Sequence, residues 1–266
     1  MNISHYLKKA AVYGAVALAF GSGFFATAAA QTGPFLTPTF PNGSEGNSFS
    51  TVPFTAGSGT ARFQQIYDFQ NLTIAGYSGP FLIQSIKFRE DAGHQFGFSS
   101  SFANIQISFS TTTRPVDGLS GVFSENVGAN DTPLINGSFR LGVSAATPFD
   151  DAGTPGAAIF LSTPFLYDPS QGNLLMDIHN FGGGGTTWGD PPFFGPAYVD
   201  AWNFAGDRVS SVSANSVGAV SGTASTLGLV TQFGMTPVPE PSTVALLTVG
   251  LVAFGFLARQ RKTRKG

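Results

Sequence analysis

The chain reads as all-β, a jelly-roll-like β-sandwich carried between two apolar terminal segments. Three observations predict this. Between residues 31 and 236 apolar side chains recur with period two rather than 3.6, the mark of half-buried strands. Those runs are short and divided by turn residues, in a chain with 34 Gly and 17 Pro, which favours a sandwich over helical or α/β layers. The chain also has 27 Phe and no Cys, so an aromatic core must hold it without disulfides or thiolate metal sites.

Taken in order, residues 1–30 have the layout of a secretory signal peptide. Lys8 and Lys9 form the positive start, residues 10–25 the apolar run, and Ala28-Ala29-Ala30 a small-residue cleavage site before Gln31. Residues 31–60 are rich in Gly, Ser, Thr and Pro and read as an extended lead-in, with Phe35, Phe40, Phe49 and Phe54 touching the domain here and there. The sandwich itself is expected over 61–236. Asn104-Ile-Gln-Ile-Ser-Phe-Ser110 alternates cleanly, with Ile105, Ile107 and Phe109 on one face. Residues 85–89 and 138–143 behave alike, and Asn136-Gly137 reads as a two-residue hairpin turn before the latter. Residues 157–161, 173–178 and 227–233 supply further strands, and Trp202 and Phe204 read as core positions of another.

The last thirty residues have three parts in fixed order. Val238-Pro239-Glu240-Pro241 comes first; its prolines enforce extended backbone and withhold amide donors, so no helix can begin earlier. Residues 242–258 follow, 17 positions without a charge, about 25 Å as a helix and at the short end for one transmembrane span. Arg259, Arg261, Lys262, Arg264 and Lys265 close the chain. A basic cluster directly after the run fits a span whose cationic end stays in the cytoplasm, with the rest of the chain outside.

These three parts, at the end of the chain, resemble the PEP-CTERM sorting signal of exported bacterial proteins, over residues 237–266. The resemblance implies recognition by exosortase, a transpeptidase-like membrane protease, after residence in the inner membrane, and then delivery to the cell envelope or outside the cell. Blocks within the domain, among them Arg62-Phe-Gln-Gln-Ile-Tyr-Asp68 and Pro164-Phe-Leu-Tyr-Asp-Pro-Ser170, are similar to those of β-rich ectodomains carrying the same anchor. They imply one continuous domain and bring no activity with them.

Charge narrows the partners. Residues 31–236 hold 14 carboxylates against six cations, a net of −8, which speaks against nucleic acid and against polyanions. Catalytic constellations are lacking: the sequence contains no Gly-x-Ser-x-Gly elbow and no His-Glu-x-x-His, and we expect no enzyme and no cofactor. His94 with Glu90 and Asp91 is the residue set nearest to a metal site, and such groups in turns are more often solvated. His179 ends the strand 174–178. Calcium is the better small-ligand candidate, because Asp117, Asp131, Asp150, Asp151 and Asp168 sit in turn-like sequence, although Asp is favoured in turns for its own hydrogen bonds.

The stretch 188–198 is aromatic and follows a Gly182–Gly185 run that reads as flexible. Trp188, Phe193, Phe194 and Tyr198 are candidate stacking contacts for a glycan; folded back onto the domain they would be core instead. Two readings of function result. The first is a structural or adhesive envelope or matrix protein of biofilm and exopolysaccharide, and the second a carbohydrate-binding module stabilised by calcium. A hydrolase has least support, since no acid/base pair can be named.

Overall fold

The computed structural model describes residues 33–37, 45–54, 59–69, 79–91, 98–143, 158–188 and 193–238. The signal-peptide residues Ala28, Ala30 and Gln31, the motif residues Pro239, Glu240 and Pro241, the apolar run 242–258 and the basic tail lie outside them. Among the described residues no helix is long and apolar enough to cross a membrane.

The described chain is built of antiparallel strands, as its period-two patterning predicts. One sheet has four strands in the order β1 (Gly33–Thr37), β15 (Thr231–Pro237), β4 (Phe81–Phe88) and β7 (Ala158–Tyr167). The second is larger. Its path runs β10 (Phe193–Phe194), β9 (Gly185–Trp188), β5 (Phe98–Thr112), β8 (Asn173–Asn180), β3 (Ala61–Tyr67), β12 (Val209–Ala214) and β13 (Thr223–Ser225), with β6 (Thr132–Val143) along the other edge of β5. A small third sheet joins β14 (Leu227–Leu229), β11 (Val199–Asn203) and β2 (Ser48–Ser50).

Alternation places one face of each large sheet in a shared core. Ile83, Ile86, Phe233 and Met235 of the four-stranded sheet join Ile105, Ile107, Met176 and Ile178 of the larger one in a single apolar cluster. Aromatic rings stitch the two layers. Phe109 meets Phe165 edge-on at 5.6 Å, and Tyr67 meets Phe233 at 4.9 Å and 90°, contacts of about 0.5–1.5 kcal/mol each beyond their burial. The Tyr67 hydroxyl keeps a polar partner at Thr231 Oγ1, 3.0 Å away. A second, smaller cluster on the outer face of the larger sheet packs Ile66, Leu175 and Val212 beneath Leu119 and Phe123 of the β5–β6 connection.

Several local expectations are corrected. Asn136-Gly137 makes no hairpin: β6 runs straight through it, pairing Asn136 with Gln106 and Gly137 with Ile105. The register slips there because β5 carries an extra residue between Phe102 and Ile105, and Gly137 absorbs the bulge at φ 130°. The Gly182–Gly185 run serves the same irregularity from the other side. β8 and β9 both pair with β5, before and after these glycines, and a Cβ on Gly184 would collide with the Ser101 carbonyl. The run is therefore a fitted kink, with Phe181 N–H donating to Asn104 O at 3.1 Å.

The lead-in 31–60 contributes β1 and β2 to two sheets, and its Phe54 is wholly buried whereas Phe49 is about half exposed. Residues 227–233 are divided between sheets at Val230, whose N–H donates to Asp200 O at 2.9 Å. Trp202 lies on β11 half-buried, and Phe204, past the strand end, is 64% exposed rather than core.

Candidate functional site

The first candidate is the junction between the domain and its C-terminal signal. β15 is an interior strand, held by β1 on one side and β4 on the other. It ends at Pro237, where Pro237 pairs with Phe81, and Val238 N–H donates onward to Pro80 O at 2.9 Å. Pro239 thus follows the sheet with no intervening linker. β1 runs antiparallel to β15 with Gly33 opposite Met235, so the chain enters the sheet two residues after Gln31 at the same end from which the Pro-Glu-Pro segment leaves.

The second is a carboxylate cluster where the sheets meet. Beyond β4 the chain continues extended as Arg89-Glu90-Asp91 alongside residues 198–200: Glu90 bridges Val199, Asp200 N–H donates to Arg89 O at 2.9 Å, and Asp91 N–H donates to Tyr198 O at 3.1 Å. This pairing, with that of β2 against β11, brings one carboxylate oxygen from each of Glu45, Asp91 and Asp200 within 4.8 Å of one another. Asp200 is fully buried. Its Oδ2 accepts from Arg89 Nε at 2.6 Å and also meets Arg89 Nη2, while its Oδ1 accepts from Gly46 N–H at 3.0 Å. Burial raises the Asp200 carboxyl well above the usual carboxylate range, against the pull of Arg89. A side chain on Gly46 would run into Ala201 O and Asp200, so glycine is required for that approach. Carboxylate oxygens are what a hard cation such as calcium takes, but both Asp200 oxygens already serve Arg89 and Gly46. Of the earlier metal set, Asp91 and Glu90 are here but only Asp91 joins the cluster, and His94 lies outside the described residues.

The third is a closed polar network on the outer face of the larger sheet. Asp177 Oδ2 accepts from Arg62 Nη2 at 2.9 Å and from Gln64 Nε2 at 2.7 Å, and Oδ1 faces His179 Nε2 at 3.2 Å. His179 is thus within β8 rather than beyond a strand end. Despite opposing desolvation, the largest single influence, these partners hold the Asp177 carboxyl below its ordinary range. Arg62 also lies over the Phe123 ring at 4.5 Å. Both Asp177 oxygens are engaged, which makes the group an anchor for the β5–β6 connection.

The predicted aromatic group is split. Trp188 and Phe193 are paired residues of the β9–β10 hairpin, with Phe194 opposite Thr187. Tyr198 stands apart from that hairpin, edge-on to Phe49 at 5.2 Å, and Phe49 is the cross-strand partner of Asp200. The predicted calcium aspartates are scattered as well. Asp168 caps a short 3-10 turn by accepting from Ser170 N–H at 2.9 Å, and Asp117 accepts from Gly206 N–H at 2.9 Å. Asp131 is an exposed turn residue, and Asp150 and Asp151 lie outside the described residues. Sequence reasoning missed the Glu45–Asp91–Asp200 set because its members are far apart in the chain; the charged Arg89-Glu90-Asp91 directly after an alternating strand was the available signal.

What the fold and junction define is an all-β domain whose last interior strand runs straight into a proline-bracketed, apolar and then basic terminus. Residues 237–262 match the family model of the PEP-CTERM protein-sorting motif. The chain therefore carries the signal of an exosortase-sorted, exported protein, anchored in the membrane before processing. No curated protein and no solved structure matches it.

Proposed function

We infer that this is a non-enzymatic protein of the cell envelope or extracellular matrix, structural or adhesive in biofilm and exopolysaccharide, delivered there by exosortase. The observation that carries the reading is the sorting motif joined without a linker to β15. A jelly-roll-like sandwich suits such a role, since it presents loops and sheet faces on a rigid frame. The signal peptide ending at Ala30, the span 242–258 and the basic tail complete the export route.

Deleting 239–241 tests the sorting step: full-length precursor should accumulate in the membrane fraction, and normal delivery to the surface would overturn it. Deleting the whole gene tests the matrix role. A matrix of unchanged cohesion and composition would remove the structural and adhesive reading.

The second reading, a carbohydrate-binding module stabilised by calcium, is favoured by the Phe49–Tyr198 pair standing next to the Glu45, Asp91 and Asp200 carboxylates. A glycan array with calcium and then EDTA examines it. Binding lost in Tyr198→Ala or in Trp188→Ala would raise this reading to first place.

A further inference from the structure

The outer face of the four-stranded sheet sets three large apolar side chains, Leu82, Phe160 and Leu166, among the polar Thr236, Gln84 and Ser85, with Thr236 hydrogen-bonded to the exposed Gln84 at 3.3 Å. Thr236, Leu82 and Leu166 form one cross-strand row, and Gly234, Ser85 and Phe160 the next that is fully paired. Phe160 is 77% exposed and Leu166 57%, and Leu82 is half-buried between them and β15. A bulge in the β4–β7 pairing, where Ile83 meets Phe165 but Ser85 meets Phe160, brings Phe160 close to the Leu166 row. On the described strands of this face the nearest charged side chain is Lys87, toward the far end, opposite Gln232. The rest of the domain is acidic, net −8 over residues 31–236.

This face adjoins the point where the sorting signal leaves. Thr236 lies in the Leu82–Leu166 row itself, about 10 Å from Leu166 at the usual strand spacing. The uncharged run begins at Ser242, six residues beyond Thr236, which span at most about 20 Å fully extended. A domain tethered that closely to an apolar span stays within about 20 Å of the bilayer. The acidic remainder of the domain has no charge attraction for a lipid surface, whereas Phe160, Leu166 and Leu82 are side chains that a bilayer interface accepts.

We propose that, while the sorting signal is intact, the domain rests on the bilayer surface through the outer face of its four-stranded sheet, with Phe160 and Leu166 as the inserting side chains. The proposal rests on the membrane-anchored reading of the sorting signal. Release by exosortase then frees the face, because two apolar side chains without a tether give only weak, reversible attachment.

The chain has no cysteine, so Phe160→Cys, Leu166→Cys and the control Val220→Cys each create a unique labelling position. Val220 is 74% exposed and lies in the turn before β13, outside the four-stranded sheet. Each full-length variant, carrying an environment-sensitive fluorophore, is reconstituted in phosphatidylcholine–phosphatidylglycerol vesicles containing shallow nitroxide lipids. The expected result is flotation of all three with the vesicles, and quenching at positions 160 and 166 roughly twofold or more above that at 220. Flotation with equal quenching at all three overturns the proposal and leaves the anchoring reading intact. Failure to float overturns both. A signal at 160 and 166 that appears without lipid and rises with protein concentration assigns the face to a second copy of the chain, and also overturns it.

Discussion

Gly33 faces Met235 across adjacent strands. The first strand of the domain therefore begins where the last one ends, and five consecutive residue pairs from Gly33–Met235 to Thr37–Thr231 tie the two termini together. Deleting 33–37 should leave the free edge of β15 exposed as a template for another chain. We expect a loss of about 1–5 kcal/mol, at about 0.2–1 per cross-strand pair, together with concentration-dependent dimers. Thermal melting and light scattering check both, and a monomer of unchanged melting temperature would refute the role of β1.

Arg89 and Asp200 form a buried pair, 7% and 0% exposed at their side chains. Arg89→Ala leaves Asp200 without its main counter-charge in the interior, and removal of one partner of such a pair costs about 3–5 kcal/mol. Because burial holds the Asp200 carboxyl high even beside Arg89, chemical denaturation should show this loss in full only in alkaline solution, where Asp200 is ionised, and less of it as pH falls. A variant as stable as the parent at alkaline pH would mean that the pair does not hold β2, β4 and β11 together.

Asp207 is almost wholly buried, its Oδ2 has no hydrogen-bond partner, and burial pushes its carboxyl up to about 6 from 3.8. The folded state therefore binds the proton more tightly than the unfolded chain. This group's contribution to stability is most favourable below about pH 4 and is lost as pH rises through about 6. Asp207→Asn should raise stability at pH 8 by on the order of 1–2 kcal/mol and leave it nearly unchanged at pH 4. Equal gains at both pH values would show that ionisation is not the cause.

Gly184 stands against the Ser101 carbonyl with no room for a Cβ. Gly184→Ala must push β9 from β5, and a cost of roughly 2–4 kcal/mol is expected for such a backbone clash. Gly185→Ala is the natural comparison, since nothing lies within 4 Å of a Cβ there. Similar melting temperatures for the two would contradict a fitted kink.

The class of fold was legible because alternation is a local property: Ile105, Ile107 and Phe109 face the core as their spacing requires. The sorting junction was legible for the same reason, since its parts are contiguous. What local reading misjudged were places where one strand answers to another. Asn136-Gly137 has the chemistry of a hairpin turn, but its geometry is set by the bulge in β5 opposite. Four glycines in a row look mobile until Ser101 and Asn104 are placed beside them. The Glu45–Asp91–Asp200 cluster was missed because each carboxylate comes from a different segment, brought together by two pairings, residues 89–91 with 198–200 and β2 with β11.

The interior position of β15 has a consequence for the order of events in the cell. In synthesis from the N-terminus, residues 231–237 appear after every other described strand. Until then β1 and β4 have no common neighbour and the four-stranded sheet has a gap at its middle. Arrival of β15 closes that gap and seals the core around Phe233 and Met235. The last strand is thus the latch of the domain, which cannot close before the chain is nearly complete.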